Sequence, residues 1–159
     1  MRHSFTFLLV FALVLMGCSS IDCPLNNTVH MKYKLAGYIT TLSDTLTVST
    51  TKTTGEDSVL INMDVDVDSI LLPMSYTQPE DIFYFELRDT LGNVSVDQVT
   101  VSKEDHPHFE SVDCSPTYFH TITGVTWTNN RIDSIVIHNT EVTYDATEPH
   151  FYIYFKVAD

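Results

Sequence analysis

The sequence is poor in positive charge and in glycine. Lysine and arginine number 8 against 21 aspartate and glutamate residues, which gives a formal charge of −13, and the basic residues are scattered singly. A nucleic-acid-binding protein needs a basic patch to displace the counterions of the phosphate backbone, so we expect no nucleic-acid partner. Five glycines are too few for phosphate-binding loops, and neither a P-loop nor a dinucleotide fingerprint occurs. We therefore expect no cofactor.

Motifs for covalent catalysis are missing as well. There is no G-x-S-x-G elbow, and serines near histidines, such as Ser111 and Ser134, have no spacing that indicates a catalytic triad. We therefore expect a protein that is not an enzyme. The alternative is a hydrolase with an unrecognised site, which predicts a cleft holding a histidine or a carboxylate pair with perturbed ionisation.

What the sequence has in abundance is β-forming residues. It is 43% hydrophobic and 11% aromatic, a composition typical of a folded domain. In 82–87 and in 151–157, apolar residues alternate with polar or tyrosine residues, which predicts strands with one face in the core. In the second of these we expect Val157 to face the core and Tyr152 and Tyr154 to face outward. Further strands are predicted at 29–40, 45–49, 58–63, 69–72, 94–101, 118–127 and 132–138.

About eight or nine short strands with no helix favour an all-β fold, an antiparallel β-sandwich of immunoglobulin-like size that occupies residues 29–159. One of the strands has an irregular pattern. Its apolar residues switch from Val94 and Val96 to Val99 and Val101, so the alternation slips by one residue near Asp97. A β-bulge at that point would place both halves on the core face.

The first residues have the pattern of an export signal. Arg2 is followed by an apolar stretch at 5–16, which is too short to span a bilayer, and then by Gly17 and Cys18. This pattern resembles the bacterial lipobox, and it predicts a signal peptide at 1–17, an acylated (palmitate-bearing) Cys18 as the new N-terminus, and a short tether at 18–28. The alternative is an ordinary secretory leader that happens to precede a cysteine.

If lipid occupies Cys18, an even pair of cysteines remains. Cys23 and Cys114 both lie in turn-like settings next to prolines, and in an oxidising compartment we expect them to form a disulfide. Only four residues separate Cys18 from Cys23, so the tether spans at most roughly 17 Å when fully extended. The sequence therefore predicts a domain held close to a membrane surface.

Three stretches, 18–27, 72–81 and 108–124, resemble those of uncharacterised envelope lipoproteins from Bacteroidales-type bacteria. The resemblance implies an address in the cell envelope, with a preference for the outer membrane, and no known activity. It also implies O-glycosylation at Asp-Ser/Thr-aliphatic triplets, whose hydroxyl residues here are Thr45, Ser58, Ser69, Thr90 and Ser134. The alternative interpretation of these triplets is a turn that leads into a strand.

Two clusters are weak candidates for a metal site. Asp64, Asp66 and Asp68 alternate with valines and would share one face of a strand, but the spacing does not fit an EF-hand loop, and a solvated strand edge is the default. His106 and His108 have the same period-2 spacing, continued by Glu110, with a further ligand to come from another histidine; here exposed loop histidines are the default. We expect no metal site at either cluster.

The outward tyrosines of the last strand, Tyr152 and Tyr154, are candidates for a binding surface. The function predicted from the whole sequence is a membrane-anchored, non-enzymatic interaction or structural module, with an envelope protein or a glycan as its partner. A ligand-binding accessory lipoprotein, for glycan or calcium, is the alternative from a second class, and the hydrolase is the third.

Overall fold

The computed structural model describes residues 23, 28–51, 55 and 57–157, and this part of the chain is all β, with no helix. None of the described residues therefore forms a helix that could cross a membrane. The ten strands are β1 His30–Leu35, β2 Thr45–Thr51, β3 Asp57–Asp64, β4 Ser69–Pro73, β5 Glu80–Arg88, β6 Val94–His108, β7 Thr117–Trp127, β8 Ile132–Ile137, β9 Glu141–Val142 and β10 Phe151–Phe155.

The strands form two sheets, of order β4-β1-β10-β8 and β3-β2-β5-β6-β7-β9. Strands β1 and β10 pair in parallel, and the other neighbours pair antiparallel. The predicted β-sandwich is confirmed. It has ten strands instead of eight or nine because β9 is a two-residue strand that no sequence pattern indicates.

Inward residues of both sheets form one core. Phe83, Phe85 and Leu87 of β5 are buried, as their alternation predicts. Across the core, the ring of Tyr33 stacks on Phe151 at 4.6 Å between centroids and meets Phe85 edge-on at 5.9 Å. Complete burial raises the pKa of the Tyr33 hydroxyl far above its usual range, because the charged form would lose its hydration.

Several strand ends differ from the sequence prediction. β6 continues to His108 instead of ending at residue 101. β1 stops at Leu35 rather than continuing to residue 40, because the chain turns at Gly37, whose φ of +84° is accessible to glycine at little cost. β10 ends at Phe155, so Val157 is 64% exposed instead of facing the core.

The bulge predicted near Asp97 is wrong. The β5–β6 register is unbroken there, with Phe85 opposite Asp97 and Tyr84 opposite Gln98. The inward residue at this position is Asp97 itself, fully buried, while Val94 and Val96 face outward. The register shift lies further along, at Ser102/Lys103 between β6 and β7.

The sandwich has two distinct ends. At the N-terminal end, β1, β3, β5, β7 and β10 begin and β4 and β6 finish; at the far end, β2, β6 and β8 begin and β7 and β10 finish. Cys23, Thr28 and Val29, the described residues that precede β1, lie at the N-terminal end. The candidate site lies at this end.

Candidate functional site

Two strands extend past their neighbour at the N-terminal end. β5 pairs with β6 only as far as Ser102, but β6 continues to His108 and stays paired with the first half of β7. We call residues 103–108 and 117–122 the arm; six residues of strand correspond to about 20 Å. Pro107 lies within β6, not in the loop that the sequence predicts for the neighbouring histidines. It is tolerated there because this part of β6 has no β5 neighbour to receive a backbone N–H.

The arm ends in a loop at 109–116, here called the tip loop, and the predicted disulfide is present in it. Cys114 of the tip loop is bonded to Cys23, with their Cα atoms 5.5 Å apart and 91 positions of sequence between them. The tip loop also exposes two apolar side chains, Phe109 (61% exposed) and Val112 (97% exposed). Cys23, which precedes the domain, is therefore covalently joined to the loop at the end of the arm.

Aromatic pairs flank the arm on both faces. On one face, Tyr118 stacks on Tyr76 with ring centroids 4.8 Å apart. On the other face, Phe119 stacks on His108 at 4.3 Å and meets Tyr144 edge-on at 5.1 Å. These pairs fix the arm against the loop that follows β4 and the segment that follows β9.

A buried charge cluster lies at the base of the arm. The side chain of Lys103 is fully buried, and its Nζ donates to the backbone oxygen of Gln78 (2.5 Å) and to Asp105 Oδ1 (3.2 Å). Asp81 Oδ2 lies 3.8 Å from the same nitrogen. Asp105 Oδ1 is also 2.6 Å from Nδ1 of the buried His120. One cation therefore holds together β5, β6 and the loop between β4 and β5.

Burial shifts the pKa values of two members of this cluster. It raises the pKa of Asp81 to about 6, against the opposing effects of nearby Lys103 and of the Ser75 N–H, which donates to both carboxylate oxygens at 3.2 and 3.3 Å. Burial lowers the pKa of His120, although Asp105 acts in the opposite direction. At neutral pH His120 is therefore a neutral ring whose Nδ1–H donates to Asp105.

Two cavities meet at the loop between β4 and β5, and Met74, Ser75 and Thr77 line both. The larger has a volume of about 730 Å³ and reaches Asp81 and the aromatic ring of Tyr84. Other polar side chains on its wall are those of Thr50, Thr51 and Gln78. The smaller, of about 300 Å³, is lined by Tyr76, Tyr118 and His120.

The arrangement resembles part of a hydrolytic site but is incomplete as one. Asp105 and His120 form an acid–histidine pair of the kind that activates a nucleophile. Among the described residues, however, no hydroxyl or thiol makes a hydrogen bond to His120, and the hydroxyl of Ser75 is paired with that of Thr77 at 2.9 Å. The wall of the larger cavity combines hydroxyl and amide residues with apolar ones such as Leu60 and Ile82, beside Tyr84. A mixed lining of this kind suits a ligand that has polar and apolar faces.

The three aspartates proposed for calcium do not share a strand face. β3 ends at Asp64, Asp66 lies in a connection with a φ of +55°, and Asp68 precedes β4. Asp64 accepts a hydrogen bond from Val65 N–H, and Asp68 binds Lys34 Nζ at 2.8 Å. Within residues 28–51 and 57–157, no group of three or more His, Cys, Asp or Glu side chains is placed to hold a metal ion.

His106 and His108 do share a face of β6, as their spacing predicts. His106 Nε2 lies 3.1 Å from the Thr121 hydroxyl, while His108 packs on Phe119 and its Nε2 is 3.2 Å from Glu110 Oε1. His120 cannot join them, because it lies on the opposite face of the arm with Asp105. These histidines therefore have individual partners.

The candidate surface tyrosines lie on the outer face of the four-stranded sheet. Tyr152 and Tyr154 are half-buried, Tyr152 lies 5.0 Å from the His138 ring, and Tyr154 packs beside Gly37. Both face away from the core, and neither lines the larger cavity.

The hydroxyl residues of the five triplets lie near the starts of strands, with one exception. Thr45 and Ser69 open β2 and β4, Ser58 is the second residue of β3, and Ser134 is the third of β8. Thr90 lies in the exposed turn after β5 and is the most accessible of the five. The lipidation candidate Cys18 is outside the described residues.

Sequence reasoning missed the buried charge cluster, although a signal for it exists. Val99 and Val101 are inward residues of β6, and continuing their alternation by two and four positions places Lys103 and Asp105 on the same side. A pattern of apolar and polar residues assigns charged side chains to solvent, so it predicts neither residue as inward.

The model of a protein family matches residues 45–155, and its description is a family of unknown function (DUF6452). The match covers β2 to β10, and with them the arm, the tip loop and the charge cluster. No curated protein matches the chain, and no solved structure does.

Proposed function

Since the chain belongs to the DUF6452 family, whose function is unknown, we propose that it is a lipid-anchored module of a bacterial cell envelope that binds or organises a partner and catalyses no reaction. Its anchor is an acylated Cys18, its compartment lies outside the cytoplasm, and the outer membrane is its preferred location. We also propose that the chain is related to the Bacteroidales-type envelope lipoproteins that its sequence resembles.

The observation that carries this proposal is the Cys23–Cys114 disulfide. Disulfides form and persist in exported proteins and are rare in the reducing cytosol. With two of the three cysteines paired, Cys18 is the remaining thiol, and it directly follows a leader-like apolar stretch. Export, bridge and lipidation thus account for every cysteine of the chain.

A structural role of the charge cluster supports the proposal that the protein catalyses no reaction. Lys103 has acceptors from three directions, and Asp105 is shared between Lys103 and His120. Groups that satisfy one another in this way stabilise the base of the arm. Such a scaffold supports recognition by loops at the N-terminal end.

The test is mass spectrometry of the C-terminally tagged protein purified gently from its native membranes. We expect an intact mass that corresponds to a chain starting at Cys18, plus acyl groups, minus two hydrogens for the disulfide, together with a reproducible protein companion. The matched control carries the leader of a soluble periplasmic protein in place of residues 1–18. It should fold and form the same disulfide but leave the membrane fraction; a native chain without acyl groups would overturn the proposal.

A second candidate function, glycan binding by an accessory lipoprotein, is favoured by the larger cavity. Its threonine, serine and glutamine side chains and the ring of Tyr84 are the groups that bind sugars through hydroxyl contacts and stacking. Purification without a protein companion but with bound carbohydrate would support it. Tyr84→Ala should then release the carbohydrate, while Tyr154→Ala on the other sheet should retain it.

A further inference from the structure

The tip loop exposes more apolar surface than its position in a water-soluble domain explains. Phe109 and Val112 are 61% and 97% exposed on a loop that has no strand neighbour beyond the arm. Tyr76 and Tyr144 flank the arm and are also exposed. Apolar side chains that project together at one end of a domain are typical of a contact surface.

The disulfide keeps the proposed lipid anchor close to the tip loop. Cys23 is bonded to Cys114 within the tip loop, and only four residues separate Cys23 from Cys18. If Cys18 carries lipid, its acyl chains enter the bilayer within roughly 17 Å of the tip loop, because the five steps from Cys18 to Cys23 advance about 3.4 Å each when the chain is fully extended. This step rests on the lipid anchor proposed above.

We propose that the tip loop inserts Phe109 and Val112 into the interfacial layer of the membrane that holds the lipid anchor, so that the sandwich stands on its N-terminal end. Tyr76 and Tyr144 then lie at the level of the headgroups, where tyrosine is favoured because it combines an apolar ring with a polar hydroxyl.

The charge of the chain defines which lipids take part. A formal charge of −13, with Glu110 and Asp113 in the tip loop itself, opposes attraction to anionic headgroups. The contact is therefore apolar and made with zwitterionic lipid. Increasing the anionic lipid content should weaken it.

The orientation leaves the larger cavity accessible from the side. Thr50, Ile82 and Tyr84 on its wall belong to β2 and β5, which do not extend into the arm. The arm, about 20 Å long, separates the tip loop from the level at which β5 begins. A ligand in the cavity would reach it parallel to the membrane surface.

The test uses tryptophan quenching in vesicles of zwitterionic lipid brominated near the top of the acyl chains. The chain has a single tryptophan, Trp127, at the far end of the sandwich. The lipidated full-length protein is reconstituted as three variants: the unchanged protein, Phe109→Trp with Trp127→Phe, and Leu91→Trp with Trp127→Phe. Leu91 is a matched control because it is 86% exposed at the opposite end.

We expect brominated lipid to reduce the fluorescence of the Phe109→Trp variant by about twofold or more, as for a side chain at 5–10 Å depth, and to leave the other two unchanged. If Trp127→Phe prevents folding, Phe109→Trp is made alone, with Trp127 retained. The quenching at position 109 is then the quenching of this variant minus that of the wild type. Equal quenching at positions 91 and 109 would overturn the upright orientation, since the domain would lie on its side.

The outcomes separate this inference from the lipid anchor. Protein that floats with vesicles but shows no quenching at position 109 overturns the tip-loop contact and leaves the anchor intact; a protein partner then becomes the occupant of the surface. Protein that does not float overturns both, because the few apolar side chains of the tip loop would not by themselves retain an acidic domain on lipid.

Discussion

The two ends of the sandwich each bury an aspartate, and they do so in opposite ways. At the far end, Asp97 is fully buried and accepts four hydrogen bonds between 2.7 and 2.9 Å, from the Thr128 hydroxyl and from the backbone N–H groups of Asn130, Arg131 and Ile132. At the N-terminal end, Asp81 accepts only from the Ser75 N–H, at longer distances, and lies 3.8 Å from Lys103.

The difference shows which end is free to serve function. The carboxylate of Asp97 accepts hydrogen bonds from the turn between β7 and β8 that water would otherwise accept. Short hydrogen bonds inside the protein therefore close this end. Asp81 lies beside a cavity of about 730 Å³, and burial raises its pKa to about 6. A carboxylate with a raised pKa next to an open cavity is typical of a binding region.

The largest expected effect breaks the far end. In Asp97→Ala, three backbone N–H groups and the Thr128 hydroxyl lose their acceptor inside the protein. We expect the free energy of unfolding to fall by about 4 kcal/mol, because each buried unsatisfied donor costs about 1–3 kcal/mol. Urea unfolding followed by Trp127 fluorescence measures the change. The control is Asp133→Asn, at an exposed position near the start of β8, and its free energy of unfolding should stay within about 0.5 kcal/mol of that of the wild type. A similarly small loss for Asp97→Ala would remove the distinction between the two ends.

The second effect concerns the covalent link that only the N-terminal end has. Replacing both Cys23 and Cys114 by serine frees a loop of 91 positions and should lower stability by about 3 kcal/mol. Amide hydrogen exchange should accelerate in the arm and remain slow in the β7–β8 turn, because Asp97 holds that turn independently. Equal acceleration at both ends would show that the sandwich responds as a single cooperative unit.

These two ends also differ in how far the sequence predicts them. The strand faces of β5 and β10 follow from the alternation of apolar residues, and the disulfide is predicted from the pair of cysteines that remains if Cys18 carries lipid. Asp97 and Lys103 were missed because a pattern of apolar and polar residues assigns charged side chains to solvent. Their partners decide otherwise: the N–H groups that bind Asp97 lie 33 to 35 positions away, and the Gln78 carbonyl that binds Lys103 lies 25 positions away. Such contacts exist only once β5, β6 and β7 are assembled.

The third prediction uses pH to sharpen the comparison. Because the pKa of Asp81 is raised from 3.8 to about 6 on folding, the folded state holds this proton more tightly than the unfolded state. Its contribution to stability is complete below about pH 3.8 and is lost as the pH rises through 6. The lowered pKa of His120 acts with the opposite sign, since its contribution is present above about pH 6.5 and is lost as the pH falls.

Asp81→Asn removes the first contribution and leaves the second. Relative to the wild type, the variant should gain about 1–2 kcal/mol between pH 4.5 and pH 7.5, less than the roughly 3 kcal/mol that the full shift would give. The measurement is the urea midpoint at the two pH values. Glu80→Gln, at the exposed neighbouring position, is the control and should show no such gain relative to the wild type. If the wild type and Asp81→Asn had the same pH dependence, the pKa of Asp81 would not change on folding.

The smallest effect tests whether the far end is held by charge pairing or by its carboxylate–backbone contacts. Arg131, whose N–H binds Asp97, also extends Nη2 to Asp44 Oδ2 at 2.8 Å, and both side chains are largely but not fully covered. Asp44 Oδ2 is itself buried, but asparagine keeps an acceptor for the guanidinium, so Asp44→Asn should lower the free energy of unfolding by about 1 kcal/mol. About 1 M salt should change this loss little, because salt screens buried pairs much less than exposed ones, and it should leave the loss in Asp97→Ala unchanged. A loss in Asp44→Asn as large as that in Asp97→Ala would mean that the far end, like the base of the arm, depends on a paired cation; the two ends would then differ only in the cavity beside Asp81.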